Sequence, residues 1–103
     1  MDLARAHVAA IGFAEKETGA YPINIGTGQS YSVREMVAAF EKACGRVIPT
    51  QQSPRRAGDI AAMQADARLA NAKLGWKATH DLTDMTASTW AWQSKNPDGY
   101  REP

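Results

Sequence analysis

With 103 residues, 44% of them hydrophobic and 22% charged, the chain has the make-up of a single ordered globular domain spanning 1–103, and general disorder is excluded. Twelve Lys and Arg against eleven Asp and Glu leave a formal charge of +1, which gives no electrostatic ground for binding nucleic acid or a membrane surface. The lone Cys44 has no partner for a disulfide or metal cluster, no apolar run is long enough for a bilayer, and Arg5 and His7 break up any signal-peptide pattern, so a reducing, cytoplasmic home is expected.

Asp2 is placed to cap a helix running to about Lys16, with Leu3, Ala6, Ala10, Ile11 and Ala14 on one stripe and Gly19 as its stop. Tyr21–Ile25 reads as a short buried strand, followed by the Gly26-Thr-Gly28 turn. Ser32-Val-Arg-Glu35 is a capping box, and Val33, Met36, Val37, Phe40 and Cys44 behind it keep helical spacing up to Gly45. Val47–Gln52 is a second predicted strand, pushed toward a sheet edge by Pro49, and Ser53–Asp59 is a polar loop. Ile60–Gln64 is a third strand candidate. Asp66 is expected to cap a helix over Ala67–Leu74 that stops at Gly75, and Asp81 to open a last helix with Leu82, Met85 and Trp92 along one side, ended by Pro97-Asp98-Gly99. The expected architecture is α/β: a helix-rich small domain with short strands.

Several constellations that carry chemistry are absent from the residues. Gly26-Thr-Gly28 stands where a dinucleotide-binding turn would, but the third glycine of that fingerprint is replaced by Tyr31, and no acidic residue follows at the usual distance. A plain strand-to-helix turn is the better account, so no cofactor is assigned to this chain. No Tyr-x-x-x-Lys pair exists to move a proton: Tyr21 is followed four places on by Ile25 and Tyr31 by Glu35. His7 and His80 lack neighbours at metal-ligand spacing, which leaves His7 as a hydrogen-bonded structural histidine and His80 in a turn. No catalytic and no metal-binding residue is assigned.

Pro54-Arg-Arg-Ala-Gly-Asp59 is the segment with chemical content. Two guanidiniums beside a glycine turn suit a diphosphate, because the planar fork donates parallel hydrogen bonds to phosphate oxygens, and the aspartate beyond can accept from ribose hydroxyls. The residues alone equally allow a solvated arginine loop in which Asp59 caps a turn.

A resemblance bears on that choice. Met1-Asp-Leu-Ala-Arg-Ala-His7-Val, Asn24-Ile-Gly-Thr-Gly28, Tyr31-Ser-Val33, Glu35-Met-Val37, Ala39-Phe40-Glu-Lys-Ala-Cys-Gly45, Pro54–Asp59, Ala65-Asp66, Leu74-Gly-Trp76, Trp90-Ala-Trp-Gln93 and Asn96-Pro-Asp-Gly-Tyr100 together resemble the C-terminal portion of UDP-glucose 4-epimerases. These are NAD-dependent isomerases of the extended short-chain dehydrogenase/reductase superfamily. The resemblance runs essentially end to end. It implies that Arg56 binds the UDP diphosphate, that Asp59 binds the uridine ribose, and that Arg55 is a weaker, structural contributor. Met63 falls where the family lines its sugar pocket, although an inward-facing core methionine is an equal reading of the residue itself. The family's Rossmann domain, NAD fingerprint and catalytic Tyr and Lys lie upstream of the matched region. The resemblance therefore implies a UDP-sugar-binding domain that is inactive and cofactor-free by itself, with a separate Rossmann domain as a partner.

Two other functions compete with this truncated-epimerase expectation. One is a free-standing module that senses UDP-sugars or dimerises; the other, a small nucleic-acid binder using Arg55 and Arg56, is disfavoured by the charge balance. Apolar residues in excess of one stripe, at Ala9, Ile11 and Phe13 and at Trp90 and Trp92, predict a homo-oligomer, since residues two apart on a helix point about 200° from each other.

Overall fold

Polar side chains that satisfy free backbone N–H groups start two of the helices, and glycines with a left-handed backbone stop two. The structure, a computed structural model, describes residues 1–100 and contains α1 (Asp2–Ala14), α2 (Val33–Cys44), α3 (Arg68–Leu74) and α4 (Leu82–Gln93). The Ser32 hydroxyl accepts from the Glu35 amide at 3.2 Å while the Glu35 carboxylate accepts from the Ser32 amide at 2.7 Å, closing the expected capping box at α2. Asp81 and Asp84 close a second box on α4, at 3.0 and 3.1 Å. Gly45 (φ 68°) and Gly75 (φ 59°) end α2 and α3 as expected.

The other two starts differ from expectation. Met1, not Asp2, is the N-cap of α1, and it makes no side-chain cap bond. The Asp2 carboxylate instead accepts from the Thr79 amide at 2.8 Å and the Thr79 hydroxyl at 3.1 Å. At α3 the cap position is Ala67; the Asp66 carboxylate accepts from the Arg68 amide at 3.0 Å and takes the Arg68 guanidinium as well. At α1 a tertiary partner draws the carboxylate away from the helix end, whereas Asp66 still serves the first N–H of α3, from one position before the cap. Helix α1 stops at Ala14, two residues short of Lys16 and well before Gly19.

The chain forms two compact units, Met1–Ser30 with Ile60–Thr79, and Tyr31–Asp59 with the segment from His80 onward. In the first, α1 packs on α3 around Ala6, Ala70 and Trp76, with Ile23, Ile25, Leu74 and Ala78 half-covered beside them. The turn at Gly75 folds Trp76 back beneath the helices, where it is 5% exposed and its indole N–H donates to the Asp2 carbonyl at 3.0 Å. Arg5 ties the same corner, donating to the Thr79 hydroxyl at 3.0 Å and the Lys77 carbonyl at 3.1 Å. Phe13 meets Tyr21 edge-on at 5.1 Å, and the Lys73 ammonium lies 5.7 Å from the Tyr21 ring centre. The His7 ring donates from Nδ1 to the Leu3 carbonyl at 2.8 Å, the structural role expected for it.

In the second unit α2 packs on α4, and Thr86 is buried with its hydroxyl bonded back to the Leu82 and Thr83 carbonyls. The Glu41 carboxylate accepts from the Ile48 amide at 2.9 Å, fastening the segment after α2 to the helix.

Buried stripes on two helices are not the expected ones. On α1 the inward residues are Ala6, with Ala9 and Phe13 half-buried, whereas Leu3 and Ile11 are exposed at 59% and 64%. On α4 they are Leu82, Thr86 and Trp90, spaced four apart, while Met85 and Trp92 face outward. Trp90 and Trp92 do point to different surroundings, as their spacing requires.

The three expected strands are absent: Tyr21–Ile25, Val47–Gln52 and Ile60–Gln64 are irregular, and no strand occurs among the described residues. Side chains occupy groups that a ladder would use. Ser30 donates its hydroxyl to the Met63 carbonyl at 3.2 Å, Gln64 donates its amide to the Gly28 carbonyl, and Ile48 gives its N–H to Glu41. The architecture is helix-rich with irregular connections, which corrects the α/β expectation.

Candidate functional site

The loop after α2 owes its shape to one tight turn. Arg56, Ala57, Gly58 and Asp59 form it, with the Asp59 amide donating to the Arg56 carbonyl at 3.2 Å. Gly58 sits third in the turn at φ +88°, where a side chain would be strained, so a glycine is needed. The Asp59 carboxylate closes the ring by accepting from the Arg56 amide at 3.1 Å, and its other oxygen stands 3.6 Å from the Arg56 guanidinium. Arg55 reaches across and donates to the Asp59 carbonyl at 2.7 Å.

Arg55, Arg56 and Asp59 are thus brought together in one structured turn of the second unit. The Arg56 side chain is 88% exposed and that of Asp59 40%, so the guanidinium projects into solvent from a fixed base. Arg55 spends a donor on the loop's own backbone. Two guanidiniums and one carboxylate leave the turn with a net positive charge, a setting for an anion.

Met63 lies in the first unit and is 78% exposed, which excludes an inward-facing core position. It borders an open hollow of about 450 Å³ together with Asn24, Thr27, Gln29 and Gln64, all uncharged hydrogen-bonding side chains. A neighbouring hollow of about 640 Å³ in the same unit is bordered by Gly26, Asp66, Arg68, Asn71, Trp76 and Lys77. In it the Arg68 guanidinium, by direct hydrogen bonds at 2.6 to 3.0 Å, holds the Asp66 carboxyl at about 2. Sequence reasoning missed this second hollow, because its walls come from two segments more than thirty residues apart in the chain. Only the paired glycines hinted at it. Gly26 is there for space: a Cβ at this position would lie 2.7 Å from the Ala65 Cβ. Among the described residues no group of three or more His, Cys, Asp or Glu is placed to hold a metal.

No family model matches the chain. It is 52% identical over 102 residues to the UDP-glucose 4-epimerase of Bifidobacterium longum, covering 99% of this chain and 30% of that protein. The epimerases of Neisseria meningitidis serogroup C (46% over 100 residues) and Drosophila melanogaster (49% over 102 residues) each match 97% of the chain across 30% and 29% of their own length. The crystal structure of the Bifidobacterium longum enzyme in complex with NAD+ and UDP superposes with a TM-score of 0.88 at 50% identity, over 96% of this chain and 29% of that one. The chain is homologous to the C-terminal part of UDP-glucose 4-epimerases.

A second UDP-glucose 4-epimerase structure, from Stenotrophomonas maltophila with bound NAD and formylated UDP-arabinopyranose, superposes with a TM-score of 0.86 at 48% identity, over 94% of this chain and 29% of that one. The chain spans about 30% of the length of the epimerases it matches. No helix among the described residues of this epimerase homologue is long and apolar enough to cross a membrane.

Proposed function

We propose that this chain is a nucleotide-sugar-binding domain of the epimerase type, in which Arg56 holds the diphosphate of a UDP-sugar and Asp59 its ribose. The observation that carries the reading is the prefolded turn at Arg56–Asp59, which presents an exposed guanidinium beside a carboxylate within a chain half identical to epimerases. A UDP complex and a UDP-sugar complex among its structural neighbours support the ligand class. Arg55 braces the turn from behind. Met63, exposed among amide side chains in the first unit, keeps the assignment that the resemblance gives it, the lining of a sugar pocket. Hydride transfer is assigned to none of these 103 residues, since they hold neither the third fingerprint glycine nor a Tyr-x-x-x-Lys pair. Exposed apolar residues on α1 and α4 are assigned to self-association.

Calorimetric titration with UDP tests the site. One guanidinium–diphosphate contact and a ribose hydrogen bond supply about 4 kcal/mol, a dissociation constant of about 1 mM. Arg56→Ala is expected to abolish most of the binding and Arg55→Ala to weaken it less. Equal loss from the two substitutions would point to a diffuse positive patch instead of a shaped site.

A further inference from the structure

The turn holds a contact that a diphosphate would have to displace. One Asp59 carboxylate oxygen accepts from the Arg56 amide and the other faces the Arg56 guanidinium at 3.6 Å, a distance beyond a good charge-assisted hydrogen bond. Both partners are substantially solvated, so the pair is loose. Arg55 is already bonded to the Asp59 carbonyl at 2.7 Å. The backbone of the turn is therefore held by bonds that do not involve the Arg56 side chain, and that guanidinium is the part free to change partner.

We propose that Asp59 is the resident counter-ion of Arg56, and that binding is an exchange. A diphosphate takes the guanidinium from the carboxylate, and the released Asp59 oxygen turns to the ribose hydroxyls while its other oxygen keeps the Arg56 amide. This rests on the diphosphate reading of the turn and adds a consequence to it. Asp59 opposes the phosphate end of the ligand while favouring the sugar end, so an isolated diphosphate binds less well than the arginines alone would allow. The site thereby discriminates for a nucleoside diphosphate over free polyphosphate anions.

The experiment compares inorganic pyrophosphate binding, by NMR titration at low ionic strength, in the unaltered chain, Asp59→Asn, Arg56→Ala and the double variant. An asparagine at this position keeps an oxygen for the Arg56 amide, so the turn persists; unchanged proton–proton NOE contacts between Arg56 and Gly58 check this. Asp59→Asn is expected to tighten pyrophosphate binding about two- to fivefold, the worth of an exposed ion pair. The gain should vanish in about 1 M salt, where the screening length is about 3 Å. It should also be much smaller when Arg56 is already alanine, because the double-variant comparison isolates the pair from general charge effects. An equal gain in both backgrounds, or none, overturns the exchange even if UDP binding depends on Arg56. If UDP perturbs the unaltered chain and Arg56→Ala alike, the diphosphate reading itself falls, and the exchange with it.

Discussion

Gly26 shows how one residue's lack of a side chain sets a local structure. Its α-carbon approaches Ala65 so closely that a methyl group would stand 2.7 Å from the Ala65 Cβ, well inside contact distance, and Ala65 is backbone-anchored instead of being the tip of a flexible chain. Gly26→Ala is expected to destabilise the first unit by about 1–3 kcal/mol through forced displacement of the Asn24–Gly28 segment. Chemical denaturation checks this, and a change below about 0.5 kcal/mol would show that the contact relaxes freely. At the same scale, the sequence made Arg56 and Asp59 legible as a pair, but not the direction of the Arg55 guanidinium. Its target is a main-chain carbonyl, and a backbone acceptor leaves no trace in residue identity.

Elements were legible where their signals are local. The Ser32–Glu35 box and the stops at Gly45 and Gly75 concern residues a few positions apart, and the structure has all of them. Stripes on α1 were not legible because that helix is apolar nearly all round; Ala6 is covered by Ala70 and Trp76, distant in sequence, and Phe13 meets Tyr21 beyond the helix end, while Leu3 and Ile11 stay exposed. The strand expectations failed for a related reason. β-branched and apolar residues at 21–25 and 60–64 suit a sheet, but a strand exists only when another supplies its ladder. The start of α3 carries a pH dependence of definite sign. Arg68 depresses the Asp66 carboxyl to about 2 from its ordinary 3.8, so its stabilising contribution is complete above pH 3.8 and is lost as pH falls through about 2. Protection of the α3 amides against hydrogen exchange, taken relative to the intrinsic rate at each pH and followed downward from about pH 5, should fall across that window and lose the dependence in Asp66→Asn. A pH-independent α3 in the unaltered chain would contradict the pairing.

Over the whole molecule, the buried apolar core is small and the exposed apolar residues are many. Leu3, Val8 and Ile11 on α1 and Trp92 on α4 are all about half exposed or more. Patches of this kind become interfaces, and exchange of a terminal helix between identical chains covers one with little new structure. We expect a homodimer or larger assembly at micromolar concentration. Light scattering coupled to gel filtration decides it: a single species near 11.2 kDa across a wide concentration range would show that the chain closes its own surface. Whether the turn Arg55–Asp59 holds a nucleotide is decided by titrating the isotope-labelled chain with UDP and reading each residue by NMR. A nucleotide site there gives saturable shifts centred on the amides of Arg56, Gly58 and Asp59, lost in Arg56→Ala. Shifts that never saturate, or that centre elsewhere while these three amides stay fixed, would contradict it.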